Sequence, residues 1–131
     1  MKRLLVILAC LLLCGCGKKK NEIEWVGVLE QVISDPVSVV YMHIENGETT
    51  NVQSSDHEVI DACIERLQHL DIGTLCEVSP QEYSDIFILI SRNGDDEAFE
   101  FENGKYIHNG RRYETVGLEK VIAVFEEMDA R

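Results

Sequence analysis

Hydrophobic and polar residues alternate along much of the chain with the two-residue period of β-strands. In Ala98–Glu102, for example, the phenylalanines and the glutamates point to opposite sides of an extended backbone. Ile86–Ile90 is instead apolar at every position, which is typical of a strand in the middle of a sheet or covered on both faces. Strands are predicted at Val37–Glu45, Glu48–Ser54, Ile86–Ile90, Ala98–Glu102, Lys105–His108 and Arg111–Val116.

Four Asn-Gly dipeptides mark turns in this pattern. Asparagine and glycine both tolerate the positive φ of a type I′ turn, so the dipeptide is a strong signal for a two-residue β-hairpin. So many hairpin signals in a short chain predict an antiparallel sheet. The dipeptides are Asn46-Gly47, Asn93-Gly94, Asn103-Gly104 and Asn109-Gly110.

Apolar residues recur at helical spacing in two further segments. In Asp56–Leu70 they share one face, and Ser55 with Glu58 has the form of a capping box that starts a helix. Gly117–Met128 has the same period and predicts a closing helix. The inward-facing residues are Ile60, Cys63, Ile64, Leu67 and Leu70 in the first helix and Leu118, Val121, Ile122 and Phe125 in the second.

An earlier segment, Glu22–Ile33, places Trp25 and Leu29 at near-helical spacing. Gly27 weakens a helix there, and a strand is the alternative. We predict a short helix that ends before Asp35-Pro36. The predicted order is then α-β-β-α-β-β-β-β-α, an α+β fold with helices packed on an antiparallel sheet of hairpins and a meander.

The first residues of the chain have the character of a leader. A basic start at Lys2-Arg3 precedes Leu4–Leu13, which is shorter than the roughly 20 apolar residues that cross a bilayer but suits a signal peptide. Leu13-Cys14-Gly15-Cys16 then resembles a bacterial lipobox. This resemblance implies cleavage after Gly15 and a diacylglycerol on the Cys16 thiol, and an ordinary signal peptide that releases a free protein is the alternative.

The leader divides the chain into three parts. Residues 1–15 are the predicted lipoprotein signal peptide, residues 16–21 the lipidated cysteine and a basic tether, and residues 22–131 a single small domain. The tether carries Lys18-Lys19-Lys20 beside the headgroups and reaches only about 16 Å when extended. We therefore expect a domain anchored by lipid at the extracytoplasmic face of the cell membrane.

The chain is strongly acidic, with a formal net charge of −12 that becomes −14 when Lys2 and Arg3 leave with the leader. Nucleic acid is repelled by such a surface, so we exclude nucleic-acid binding. The acidity could complement a basic protein partner, and solubility alone also accounts for it.

Cys63 and Cys76 are the cysteines that lie beyond the leader and the lipidation site. In an extracytoplasmic domain they could pair as a disulfide and stabilise the fold by about 3 kcal/mol. The alternative is two buried thiols that pack as small apolar side chains.

No spacing of residues predicts a metal centre or a catalytic site. The four histidines are scattered, and no cysteine or histidine pair has the spacing of metal ligands. Motifs for an activated nucleophile and for a phosphate-binding loop are missing from the sequence. We therefore expect a protein that is not an enzyme and that uses neither a metal nor a cofactor.

Tyr106, Arg111, Arg112 and Tyr113 lie on the last predicted hairpin. Aromatic residues and arginines are over-represented at binding surfaces, so these four form the candidate binding surface. Cross-strand stacking of the tyrosines and charge balance by the arginines are the alternative.

From Val37 onward the layout resembles small lipoproteins of Gram-positive bacteria. The resemblance lies in Val39-Val40-Tyr41, in Asn46–Thr49, in the Asp56–Leu70 helix and in Lys105–Tyr113. It implies a membrane location and no particular activity. We expect a non-catalytic protein-binding or accessory module with an unidentified protein partner; an immunity or inhibitor-type lipoprotein and a small-ligand carrier with a pocket between helix and sheet are the alternatives.

Overall fold

The computed structural model of the protein describes residues 35–77 and 79–129. The predicted signal peptide, Cys16, the basic tether and the predicted helix at Glu22–Ile33 lie outside these residues. The strands are β1 (Pro36–Glu45), β2 (Glu48–Ser54), β3 (Asp71–Cys76), β4 (Tyr83–Ser91), β5 (Asp96–Glu102), β6 (Lys105–His108) and β7 (Arg111–Val116), and the helices are α1 (His57–Gln68) and α2 (Leu118–Asp129).

The strands form one sheet with the order β2-β1-β4-β5-β6-β7-β3. Every pairing between neighbours is antiparallel. β1 and β2 form a hairpin, and β4 to β7 form a meander that continues the sheet from β1. The segment containing α1 carries the chain from β2 at one edge to β3 at the opposite edge.

The predicted α+β class is wrong, because the fold is dominated by the sheet. Strands account for 53% of the structure and helices for 25%. The predicted hairpin and the predicted meander are both confirmed, and the order of elements agrees roughly with the predicted order. The difference within the described residues is an additional strand, β3, in a stretch for which the sequence analysis predicts neither a strand nor a helix.

β3 is irregular, which explains why its sequence lacks a strand signal. Gly73 lies in its middle, and the pairing with β7 shifts register between Ile72 and Leu75. A shift of this kind breaks the two-residue alternation on which a strand prediction depends.

The Asn-Gly dipeptides form two kinds of turn. At Asn46-Gly47, Asn103-Gly104 and Asn109-Gly110 both residues have positive φ, as a type I′ turn requires. At Asn93-Gly94 the glycine alone has positive φ, and Gly94 N donates to Ser91 O at 3.0 Å. That turn is therefore a longer loop between β4 and β5.

The core lies between the sheet and the two helices, which pack on the same face. Phe87 of β4 is fully buried at its centre. Tyr41 stacks on it with ring centroids 5.0 Å apart, and Phe125 of α2 lies 5.9 Å from it. Aromatic contacts at these separations add to the stabilisation from buried apolar area.

The opposite face of the sheet carries half-buried apolar residues, among them Val40 and Met42 of β1 and Ile86 and Ile88 of β4. Met42 lies directly opposite Ile86, and Val40 lies opposite Ile88. β4 therefore has apolar side chains on both faces, in agreement with the prediction of a strand inside the sheet.

The N-cap of α1 lies one residue later than predicted. Asp56, rather than Ser55, is the N-cap, and its carboxylate accepts a hydrogen bond from Glu58 N at 2.9 Å. Aspartate and serine are both good N-caps, so the sequence alone does not separate two adjacent candidates. Neither helix within the described ranges has the length and hydropathy that a membrane crossing requires.

Candidate functional site

A cluster of polar side chains interrupts the apolar face that the sheet turns toward the helices. Tyr41 and His43 lie two residues apart on β1, so both point to that face. Asp85 of β4 is the direct cross-strand partner of His43. The Tyr41 hydroxyl donates to Asp85 Oδ1 at 2.6 Å, and His43 Nδ1 lies 2.7 Å from the same oxygen.

Asp85 is the deepest member of the cluster and is only 2% exposed. A carboxylate at this depth needs hydrogen-bond donors, because burial of an unpaired charge is costly. Both recorded donors reach Oδ1. Among the described residues no donor reaches Oδ2.

His43 bridges two carboxylates. Its Nε2 lies 3.0 Å from Glu45 Oε1, while its Nδ1 contacts Asp85. The hydrogen bond to Glu45, followed by the one to Asp85, raises the pKa of His43 above its ordinary value. In the imidazolium both nitrogens donate, which matches the two acceptors that face them.

Tyr41 serves as a donor with little tendency to ionise. Burial, together with the hydrogen bond to the Asp85 carboxylate, raises the pKa of Tyr41 well above its ordinary value. Its ring packs on Phe87 and Phe125 in the core. The hydroxyl is therefore fixed in place by packing as well as by the hydrogen bond.

A cavity of about 390 Å³ lies between α2 and the sheet, and Asp85 forms part of its wall. This volume is within the range of small-molecule sites. Apolar side chains and two carboxylates surround the space. The lining residues are Tyr83, Asp85, Gly104, Thr115, Val116, Gly117, Leu118, Glu119 and Ile122.

Gly117 shapes the cavity where β7 leads into α2. Its φ of +105° is one that residues with a side chain rarely adopt, and a Cβ there would lie 3.4 Å from Leu70 Cδ2. The glycine thus permits the sharp change of direction that lets the first turn of α2 cover the Asp85 side of the sheet.

A second cavity, of about 530 Å³, lies on the other side of Val116 and Gly117. Glu65, Arg66 and Lys120 contribute charges of both signs to its wall. None of the described residues that line it is buried. Although it is larger, it lacks the deeply buried polar group that a specific small-molecule site provides.

The four residues of the predicted binding surface on the last hairpin do not share a surface in the structure. Tyr106 and Tyr113 are cross-strand partners in the core and are 3% and 4% exposed. Arg112 points to the opposite face and binds Glu102, with its Nε 2.6 Å from Oε1. Arg111 is exposed at the end of the hairpin. Of the alternative, charge balance is seen at Arg112, while the Tyr106 ring contacts Phe101 and His108.

The possible disulfide between Cys63 and Cys76 is not formed, and both thiols are free. Cys63 lies on the buried face of α1, in the core. Cys76 lies on the other face of the sheet, where its Sγ donates to Glu114 Oε2 at 3.1 Å. The sheet separates the two residues, so they cannot pair in this fold.

Within the described ranges, no group of three or more histidine, cysteine, aspartate or glutamate side chains is arranged to hold a metal ion. Of the four histidines, His43 alone joins the polar cluster; its nitrogens already contact carboxylates. The predicted lipidation residue Cys16 lies outside the described residues.

Sequence reasoning missed the polar cluster. One signal was present: Tyr41, His43 and Glu45 alternate along β1 and therefore share a face. Asp85 stands immediately before the apolar run of β4. Only the β1–β4 register, which joins residues more than forty positions apart, brings these side chains together.

The chain matches no protein-family model, no curated protein and no solved structure. The functional interpretation therefore depends on the geometry of the polar cluster and the cavity.

Proposed function

We propose that the protein is a non-catalytic, lipid-anchored binding protein that holds a small ligand at the extracytoplasmic face of the membrane. The observation that carries the proposal is that Asp85, a buried acidic residue, lines the cavity between α2 and the sheet. Tyr41 and His43 both contact Asp85 Oδ1, and we infer that Oδ2 is the oxygen that meets the ligand.

The bonding of the cluster favours binding over catalysis. A general base needs a free lone pair, and a histidine supplies one from a neutral ring nitrogen. Both nitrogens of His43 contact carboxylates, and its pKa is raised by them. Tyr41 is likewise committed as a donor to Asp85. These residues are therefore better suited to orienting the Asp85 carboxylate than to transferring protons.

The small-ligand interpretation also fits the position of the cavity, between a helix and the sheet. The protein-binding interpretation depended on aromatic residues at the surface of the last hairpin, and Tyr106 and Tyr113 lie in the core. A protein partner stays a prediction from the sequence, as does the lipid on Cys16.

The proposal is tested by screening small molecules against the full-length, lipidated chain in lipid nanodiscs. Ligands are detected by saturation-transfer NMR and by a rise in the unfolding temperature. Ile122→Trp, which fills the cavity, is the test variant. Ile107→Trp is its matched control, because Ile107 is half-buried on β6 and lies outside the cavity lining.

We expect at least one class of small molecule to bind the wild type and Ile107→Trp but not Ile122→Trp. Ligands that bind Ile122→Trp as tightly as the wild type, or a screen without any ligand, would contradict the proposed function.

A further inference from the structure

We propose that the ligand is a small organic cation, a primary ammonium group on a short apolar body, whose N–H donates to Asp85 Oδ2. This inference rests on the proposed function and narrows it to one class of ligand. It follows from the charges, the hydrogen-bonding groups and the apolar residues of the cavity wall.

The charges of the wall favour a cation. Asp85 and Glu119 both line the cavity, and none of the described residues that line it is a lysine or an arginine. The nearest positive group in the polar cluster is His43, which is shared between Asp85 and Glu45. Two carboxylates around one imidazolium leave the cluster with a negative charge, so an anionic ligand would be repelled.

The first turn of α2 also faces the cavity, and a helix N-terminus carries a partial positive charge. Glu119 stands in that turn and offsets this charge. The helix start therefore does not reverse the negative character that Asp85 gives to the site.

The hydrogen-bonding pattern requires a donor from the ligand. Asp85 Oδ1 already accepts from Tyr41 and contacts His43 Nδ1, while Oδ2 is the acceptor that the described residues leave open. A carboxylate has acceptor sites on both oxygens and no donor of its own. An ammonium group supplies both the N–H and the charge, and such charge-assisted bonds are stronger than neutral ones.

The rest of the wall suits the body of an amine. Tyr83 lines the same space, and aromatic faces attract ammonium groups. Leu118, Ile122 and Val116 provide apolar contacts for a short carbon chain. A volume of about 390 Å³ limits the ligand to a small molecule.

The test uses four probes on the full-length chain in lipid nanodiscs, with dissociation constants from NMR titration. Butylammonium carries the proposed charge and donors, and 1-pentanol has a similar shape without charge. Butyrate has the opposite charge, and tetramethylammonium is a cation without an N–H. We expect butylammonium to bind at least about ten-fold more tightly than 1-pentanol, tetramethylammonium to bind more weakly, and butyrate not to bind.

Variants then test which side chain contacts the ammonium group. Asp85→Asn keeps the shape and removes the charge, and we expect it to weaken butylammonium binding by about ten-fold or more. Glu119→Gln should weaken it by about two- to three-fold. Glu127→Gln is the matched control, because it makes the same change on α2 outside the cavity lining, and binding should be unchanged.

If Asp85→Asn does not fold, the comparison of Glu119→Gln with Glu127→Gln and the ranking of the four probes decide the matter. Equal binding of butylammonium and 1-pentanol, or binding that Glu119→Gln and Asp85→Asn leave intact, would overturn the inference. If a neutral or anionic ligand is lost in Ile122→Trp while butylammonium does not bind, the cation inference fails and the proposed function stands. If no compound binds in an Ile122-dependent manner, both fail.

Discussion

The Tyr41 hydroxyl donates to Asp85 Oδ1 at 2.6 Å, from one strand of the sheet to the next. The tyrosine ring is part of the aromatic core, in contact with Phe87 and Phe125. Core packing therefore positions the hydroxyl, and the hydroxyl in turn helps to fix the orientation of the buried carboxylate. In this way the packing of the fold is coupled to the geometry of the candidate site.

Removing this hydrogen bond should destabilise the protein. We expect Tyr41→Phe to lower the free energy of unfolding by about 1–2 kcal/mol, because the bond has a charged acceptor. Urea denaturation of the full chain measures the change. Tyr113→Phe is the control, since Tyr113 is buried but its hydroxyl forms no hydrogen bond with the described residues; its effect should be within about 0.5 kcal/mol. Equal effects of the two substitutions would contradict the role of the Asp85 bond.

The stability contributed by His43 should depend on pH. Its pKa is raised in the folded state, first by Glu45 and then by Asp85. A raised pKa means that the contribution is complete below the unfolded value of about 6.5 and is lost as the pH rises through the folded pKa. The difference in the free energy of unfolding between wild type and His43→Gln should therefore be larger at acidic pH than at alkaline pH.

Urea titrations on both sides of neutrality measure this difference. His57→Gln is the matched substitution, because His57 is exposed at the start of α1. If the difference in the free energy of unfolding between wild type and His43→Gln increased with rising pH, the charged form of His43 would not be the form that the two carboxylates stabilise.

The two free thiols should differ in reactivity. Burial raises the pKa of Cys63 to about 12. Burial and the neighbouring Glu114 raise the pKa of Cys76 to about 11. Because a thiolate is the reactive form, both should alkylate slowly in the native protein, and the half-exposed Cys76 should react first. Peptide mapping after iodoacetamide treatment measures both rates, and a peptide in which Cys63 is linked to Cys76 would refute this account.

Arg112 should contribute more to stability than its neighbour Arg111. Arg112 pairs with Glu102, whose side chain is 9% exposed, so its removal leaves a buried charge without a partner. We expect Arg112→Ala to cost about 2–3 kcal/mol and the exposed Arg111→Ala less than about 0.5 kcal/mol, both measured by urea denaturation. A loss of stability for Arg111→Ala as large as that for Arg112→Ala would contradict the stabilising role of the Arg112–Glu102 pair.

The lipid anchor predicted from the sequence is tested by fractionation and mass spectrometry. We expect the wild type in the membrane fraction, with a diacylglycerol mass on Cys16. Cys16→Ser should lose that mass and the cleavage that follows it, whereas Cys63→Ser should retain both. Native protein with an unmodified Cys16 thiol, free in the medium, would rule out the anchor.

Local signals were sufficient to predict the hairpins, the meander and the approximate order of the elements, but not the fold class. The Asn-Gly turns and the alternation at Lys105–His108 and Arg111–Val116 gave strands with the observed bounds. These features depend on the backbone preferences of adjacent residues, which a sequence contains directly. β3 was missed because its strand character comes from pairing with β7, through an irregular register.

The candidate site depended on information that a single sequence does not contain. Tyr41 and Asp85 are distant in sequence, and only the β1–β4 register makes them neighbours. The last hairpin shows the same limit in reverse. Its pattern was correctly identified as strands. The sequence does not show which face of the sheet the helices cover, and that choice buries Tyr113 and places Arg112 on the other side.

The account is tested most directly by a crystal structure of the protein with butylammonium bound. We predict the ammonium nitrogen in the cavity between α2 and the sheet, at a hydrogen-bonding distance of about 2.7–3.2 Å from Asp85 Oδ2. A nitrogen directed away from Asp85 into solvent, or a cavity that contains only water at saturating butylammonium, would contradict it.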